Sequence, residues 1–224
     1  MKQIITYLIC LVGFLMSLGT INASPSRSAG ADGPACLSER INYPAIFIWT
    51  SMHDASTTGC LLSLVQEHNP RLDAERSLAL VNEILVSAIM LHLDPLLIAS
   101  VIAAESSFNP RARSSCGAQG LMQLTPPIQP WLGVRDPFDI KQNIAGGCQY
   151  LSYLEKRFVH VELILAAYNS GPTRVARLGR VPNILETIYY IKRVFKLRSR
   201  LQKEVDNQVK LIAGRLDPDP FGLA

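Results

Sequence analysis

A mainly α-helical domain is the fold class this sequence predicts. Apolar residues recur at three- and four-residue spacing from residue 74 to about 195, and the ends of those stretches carry helix-start and helix-stop residues. The chain has 224 residues, 48% of them hydrophobic and 18% charged. That composition supplies a core for one domain with appendages and excludes a disordered, low-complexity or polytopic membrane protein. No internal repeat is visible. The formal net charge of +4 is too small to demand a nucleic-acid partner. It is unevenly spread: −2 over residues 1–93, +4 over 94–194 and +2 over 195–224.

At the N-terminus, Lys2 precedes an apolar run over 4–18 and small residues over 20–24. This is the order of a secretory signal peptide, so 1–23 is assigned to one, with cleavage after Ala23 and a periplasmic or secreted destination. The alternative is an uncleaved membrane anchor, but the run falls short of the roughly 20 apolar residues a spanning helix needs. Removing this segment takes Cys10 with it and leaves Cys36, Cys60, Cys116 and Cys148. An even number in an exported chain points to two disulfides; nearest-neighbour pairing, Cys36–Cys60 and Cys116–Cys148, is expected, with buried free thiols as the alternative. The four His residues are scattered and no Cys/His spacing suggests a metal, so neither metal nor cofactor is expected.

Residues 24–35 are rich in Ser, Gly, Pro and Ala and read as a flexible mature N-terminus; residues 36–70 are weakly patterned, and 24–73 as a whole is left unassigned. From 74 to 92, Leu78, Val81, Leu85, Ile89 and His92 recur at helical spacing with Leu80, Ile84 and Ala88 beside them, an amphipathic core helix that extends the domain N-terminally. Asp94-Pro95 is a helix start, an N-cap acid before Pro at the first position, and Asn109-Pro110 stops that helix after about Ser107. The Gly- and Pro-bearing stretch 111–138 reads as loop and short hairpin. Periodicity resumes with Ile140, Ile144, Cys148, Leu151 and Phe158. A short helix over 161–168 ends at Asn169-Ser170-Gly171-Pro172, where Gly171 can cap it. After Val181-Pro182 a long helix carries Ile184, Ile188, Ile191, Val194 and Phe195. Its basic continuation reads as a solvent-exposed helix covering the core, the alternative being a partner or membrane-surface helix. The resulting division is 24–73, a domain over 74–195, and a basic C-terminal helix and tail over 196–224.

On a helical wheel, Leu97, Ile98, Val101, Ile102 and Glu105 fall on one stripe. An acid closing an apolar stripe is held towards its protonated form by desolvation and by the negative end of the helix dipole, as a general acid requires. The competing reading has Glu105 fraying outward into solvent. Between Ser106 and Arg135 there is no Asp or Glu, whereas Arg111, Arg113 and Arg135 make the stretch basic. Ordinary glycosidases use a carboxylate pair. Here a second acid could come only from a distant position such as Asp136, Asp139 or Glu186.

Five segments, in order, then carry a resemblance. They are Glu105-Ser106-Ser107-Phe108-Asn109-Pro110, Gly117-Ala118-Gln119-Gly120-Leu121-Met122-Gln123, Asn143-Ile144-Ala145-Gly146-Gly147 with Tyr150-Leu151, Ala166-Ala167-Tyr168-Asn169-Ser170-Gly171-Pro172, and Glu186-Thr187 with Tyr190. Over about 94–194 the chain resembles the catalytic domain of the soluble-type lytic transglycosylases, which is related to goose-type lysozyme. The resemblance implies a lysozyme-like helical fold with a small loop or hairpin region beside a cleft. It implies glycan strands of peptidoglycan as substrate, cleaved between N-acetylmuramic acid and N-acetylglucosamine. By position Glu105 matches the family's catalytic acid. It would protonate the leaving oxygen, then take the proton from the C6 hydroxyl that closes a 1,6-anhydro ring. Ser106, Gln123, Tyr168, Asn169, Glu186 and Tyr190 match substrate-facing positions. Met122 is either core filler or a wall for the sugar. A lysozyme-like hydrolase and a non-catalytic peptidoglycan-binding component of an envelope assembly are the other functions weighed. No nucleic acid is expected as a partner, and a membrane only through an uncleaved signal segment. The chain departs from the family's pattern over 125–131, where Pro130 should interrupt a helix and reshape one cleft wall.

Overall fold

The structure, a computed structural model, describes residues 43–215. The segment read as a signal peptide, Cys36 and the tail from 216 lie outside the described residues. The helices are α1 (Tyr43–His68), α2 (Ala74–Leu91), α3 (Pro95–Ser106), α4 (Ile140–Glu155), α5 (Val161–Ser170), α6 (Pro172–Leu178) and α7 (Leu185–Ala213). Among the described residues there is no strand, only isolated bridges joining Gln119 to Arg113 and to Leu124. The mainly helical class expected from the periodicity is therefore the class observed. None of these helices is long and apolar enough to cross a membrane.

The organising element is α3. Asp94 caps it, its carboxylate accepting from the Leu96 N–H at 2.9 Å, and Pro95 occupies the first turn. Every residue from Leu96 to Ala104 is buried, so the helix is apolar on all sides rather than on the single stripe read from the wheel. Such a helix belongs at a centre, and α1, α2 and α7 all pack on it. Ile98, Val101 and Ile102 are fully enclosed, each contributing roughly 1.5–3 kcal/mol of transfer free energy.

Around this axis, α2 packs on α4, α4 on α5, and α5 on α6 and α7, while α1 lies against α2 and α7. The α1 helix occupies most of the stretch that the sequence left unassigned; Leu61, Leu64 and Val65 bury its inner face. Of the apolar residues read for α2, Val81 and the flanking Leu80, Ile84 and Ala88 form the buried face, while Leu78 and Ile89 do not. Leu80, Val81, Ile84 and Ala88 point inward with Ser77 and Ser87, whereas Leu78, Val86, Ile89 and Met90 are exposed. The helix carries two apolar faces, and the one with small residues lets α4 approach. His92 lies outside as its left-handed C-cap. The helix after Val181-Pro182 runs unbroken past residue 195. Val194, Leu201 and Val205 bury one side of α7 and its basic residues line the other. It is tied to α1 by Arg200, which grips the Glu67 carboxylate at 3.0 and 2.7 Å, and to the start of α3 by Arg198 on Asp94.

Among the described residues there is no disulfide, and the expected Cys116–Cys148 bridge does not form. Cys60, Cys116 and Cys148 are free thiols, and Cys36 lies outside the described residues. Cys148 is fully buried on the face of α4 that meets α2, where Ser87 and Glu83 are its neighbours, and burial pushes its thiol up to about 12. Cys116 is exposed at the 114–117 turn of the loop. The two point into different environments, and sequence proximity of two matching segments does not bring their sulfurs together.

Candidate active site

Glu105 occupies the last turn of α3, one residue before the helix ends. The chain reverses sharply there: Ser107 and Phe108 have φ of 50° and 58°. Two consecutive non-glycine residues in the left-handed region are costly and persist only when their surroundings over-determine them. Those surroundings are visible. Phe108 is fully buried, its carbonyl accepts from Asn69 Nδ2 at 2.9 Å, and the His68 ring meets its edge at 5.9 Å. The end of α1 thus clasps the turn that stops α3 and fixes the carboxyl in place.

Burial is the dominant influence on Glu105 and raises its pKa from 4.5 to about 7. The Tyr190 hydroxyl and then Arg193 pull it back, and Glu186 adds to the rise. Glu186, Tyr190 and Arg193 are spaced i, i+4 and i+7 on α7, so one helix face confronts the carboxyl. The Arg193 guanidinium donates to the Ala104 carbonyl, which seats its charge at the end of α3. The Tyr190 oxygen is buried and completes no hydrogen bond of full geometry; it stands in near contact with Glu105, ready to donate. Burial, then Glu105, holds the Tyr190 and Tyr168 phenols well above their ordinary range, so both are neutral donors.

The loop wall is built on Asn143. From α4 its Oδ1 accepts from the Met122 N–H at 2.7 Å, and its Nδ2 donates to the Gln119 and Pro137 carbonyls at 3.1 and 2.8 Å. Two glycines allow the contact. A Cβ on Gly120 would lie 2.0 Å from the Pro137 carbonyl oxygen, and one on Gly147 would lie 2.2 Å from the Met122 sulfur. Met122 is therefore core, fully enclosed against α4, which decides between the two roles left open for it. The Tyr168 hydroxyl donates to the Met122 carbonyl at 2.8 Å, joining the loop to α5.

The other residues picked from the sequence fall into two sets. Tyr168, Glu186 and Tyr190 are brought to Glu105. Asn169 lies one residue beyond Tyr168, but its Oδ1 accepts from Thr187 at 2.8 Å, a bond that fastens α5 to α7. Gln123, itself at φ 50°, turns its amide back onto the Gly120 and Ala112 carbonyls at 2.8 and 3.3 Å. Ser106 bonds the Ile102 carbonyl at 3.2 Å and lines an open groove of about 460 Å³ that also bears Arg71, Arg76 and Arg111. Asp136 and Asp139, weighed as second acids, cap Phe138 and Gln142 instead. Arg193, Asn143 and Thr187 were not among the residues picked. The i+3 relation of Arg193 to Tyr190 was the available signal for the first. The site amounts to one carboxyl that keeps its proton near neutrality, two neutral phenols and one guanidinium.

Comparison with known proteins gives a concordant picture. Residues 84–191 match the family model described as Transglycosylase SLT domain. A transglycosylase of Enterobacteria phage PRD1 is 46% identical over 80 residues, covering 36% of this chain and 30% of that protein. The membrane-bound lytic murein transglycosylase F of Desulfosudis oleivorans is 45% identical over 82 residues, covering 34% and 18%. The lytic transglycosylase Slt of Pseudomonas aeruginosa, solved as an inactive mutant, superposes with a TM-score of 0.50 at 25% identity, over 56% of this chain and 24% of that one. The chain thus spans under a third of the length of each of these relatives.

Proposed function

We propose that the chain, whose residues 84–191 match the family model described as Transglycosylase SLT domain, is a peptidoglycan lytic transglycosylase with Glu105 as its acid and then its base. The observation that carries this reading is the placement of Glu105 at the end of the buried α3, faced by Glu186, Tyr190 and Arg193 of α7, where burial pushes its pKa up to about 7. In the first half of the reaction its proton goes to the glycosidic oxygen between N-acetylmuramic acid and N-acetylglucosamine, and the C1–O bond breaks. In the second half the carboxylate removes the proton from the muramic acid C6 hydroxyl as that oxygen bonds to C1. The product is a 1,6-anhydro end, and Glu105 is again protonated, so no water is consumed. Tyr190 and Arg193 stabilise the carboxylate while it exists, the first by donating into it and the second by charge. Tyr168 and Glu186 face the substrate, with Ser106, Asn169 and Gln123 shaping the walls. The basic groove beside Ser106 suits a polymer whose peptides bear carboxylates. An envelope location fits the signal-like 1–23 segment and this substrate.

A second reading has one observation in its favour. Glu186 lies near enough to Glu105 to raise its pKa, and a second carboxylate is what a hydrolase would use to activate water. Mass spectrometry of the sugars released from peptidoglycan separates the two readings: anhydro ends are lighter by one water than hydrolysed ends. Anhydro ends that vanish in Glu105→Gln are the expected result. Hydrolysed ends would establish the muramidase reading, no released sugars from the parent chain would leave a binding protein, and cleavage unchanged in Glu105→Gln would take the acid role away from Glu105.

A further inference from the structure

Trp131 is 59% exposed on a loop where its neighbours Leu132 and Val134 are buried. The core is served by those neighbours, and the indole is left outside. The loop is nonetheless rigid. Pro126, Pro127 and Pro130 restrict it. The Leu132 N–H bonds the Ile128 carbonyl at 3.1 Å and the Val134 N–H bonds the Gln129 carbonyl at 2.9 Å. The Gln129 amide, buried in turn, donates to Leu124 O at 2.9 Å and Gln119 Oε1 at 3.0 Å. An exposed indole held at a fixed angle loses little freedom on binding, which is the property of a recognition anchor.

Its surroundings give it a direction. The Trp131 ring lies 5.0 Å from Tyr153 and 6.4 Å from Tyr150, edge-on to both. Tyr150 and Tyr153 are parallel, 6.3 Å apart, one turn of α4 from each other. Tyr150 is 5.3 Å from Tyr168, and Tyr168 feels the charge of Glu105. A continuous line of rings therefore runs from the catalytic carboxyl to an open indole. At the outer end Arg157 donates to the Tyr153 hydroxyl at 2.5 Å and covers that ring, fixing it as a partner for Trp131.

We propose that Trp131, backed by Tyr153, is a sugar-stacking platform that holds an N-acetylhexosamine ring of the glycan strand beyond the bond being cut. The inference rests on the glycan-cleaving reading above. The apolar C–H face of a pyranose lies against the indole, while its hydroxyls and acetamido group stay in solvent. Because the contact is remote from the reacting bond and equal in ground and transition states, it strengthens binding without changing the chemical step.

The chain has two tryptophans, Trp49 and Trp131, which allows a direct test. In the full chain carrying Trp49→Phe and Glu105→Gln, indole emission reports Trp131 alone, and titration with the hexamer of N-acetylglucosamine should shift it saturably. In the active chain, Trp131→Ala should raise KM for long glycan strands about tenfold with kcat unchanged, and Trp131→Phe should recover most of the loss. An unmoved emission, or a KM for Trp131→Ala equal to that of the parent, overturns the platform. Failure of the catalytic reading looks different: Glu105→Gln would still cleave, whatever Trp131 does.

Discussion

Burial outweighs Tyr190 and Arg193 at Glu105, so the carboxyl keeps its proton to about pH 7 and activity should fall on a limb near that pH. Each neighbour moves the limb in a defined direction. Tyr190→Phe and Arg193→Met remove influences that favour the carboxylate, and the limb should shift to higher pH. Glu186→Gln removes a like charge, and it should shift to lower pH. A kcat/KM profile of each variant checks the signs. Stability carries the same signature. Below pH 4.5 folded and unfolded chains both hold this proton. Between 4.5 and 7 only the folded chain does, so stability is lost as pH rises, by about 3 kcal/mol in full. Glu105→Gln cannot ionise and should lack this loss, leaving a more stable protein at pH 8 than the parent in urea titrations.

At the scale of elements, α4 and the loop are locked by groups that tolerate little change. Asn143→Ala would leave the Met122 N–H and the Pro137 carbonyl unpaired, while the Gln119 carbonyl keeps the Leu124 N–H, and a loss of about 2–4 kcal/mol is expected. Gly147→Ala must displace Met122 and should cost about 1–3 kcal/mol; thermal unfolding of each variant measures both. The start of α3 was legible from Asp94-Pro95, the end of α5 from Gly171, and Glu105 from its place on an apolar helix. Three things were not. α1 lacks a clear apolar period in sequence. α2 has two apolar faces, and only its partner helix chooses between them. Gln123 and Asn169 belong to recognisable motifs, yet their amides bond backbone and Thr187 rather than facing outward, which a motif does not encode.

For the whole molecule, the free thiols give a clean expectation. Cys116 is exposed whereas Cys60 and Cys148 are enclosed, and burial raises the latter two thiols. A thiol reagent applied to the native chain should find one fast-reacting equivalent fewer in Cys116→Ser and no fewer in Cys148→Ser. The family match, residues 84–191, begins within α2 and ends within α7, so the packing unit is larger than the match. Leu201, beyond it, is fully buried, and Leu201→Ala should cost about 2–5 kcal/mol in denaturant unfolding.

The length of α7 gives this last point a mechanical side. Tyr190, at the carboxyl, and Val205, in the core beyond the match, belong to one continuous helix and lie about 22 Å apart along its axis. A rod pivoting at Val205 by about 5° would carry the Tyr190 end about 2 Å, further than the roughly 1 Å misplacement that can cost a hundredfold in rate. Arg200 on Glu67 and Arg198 on Asp94 clamp the rod between those points. The clamps from α1 and from the start of α3 therefore steady a lever whose far end, pinned by Thr187 on Asn169 and Arg193 on Ala104, carries the phenol facing Glu105.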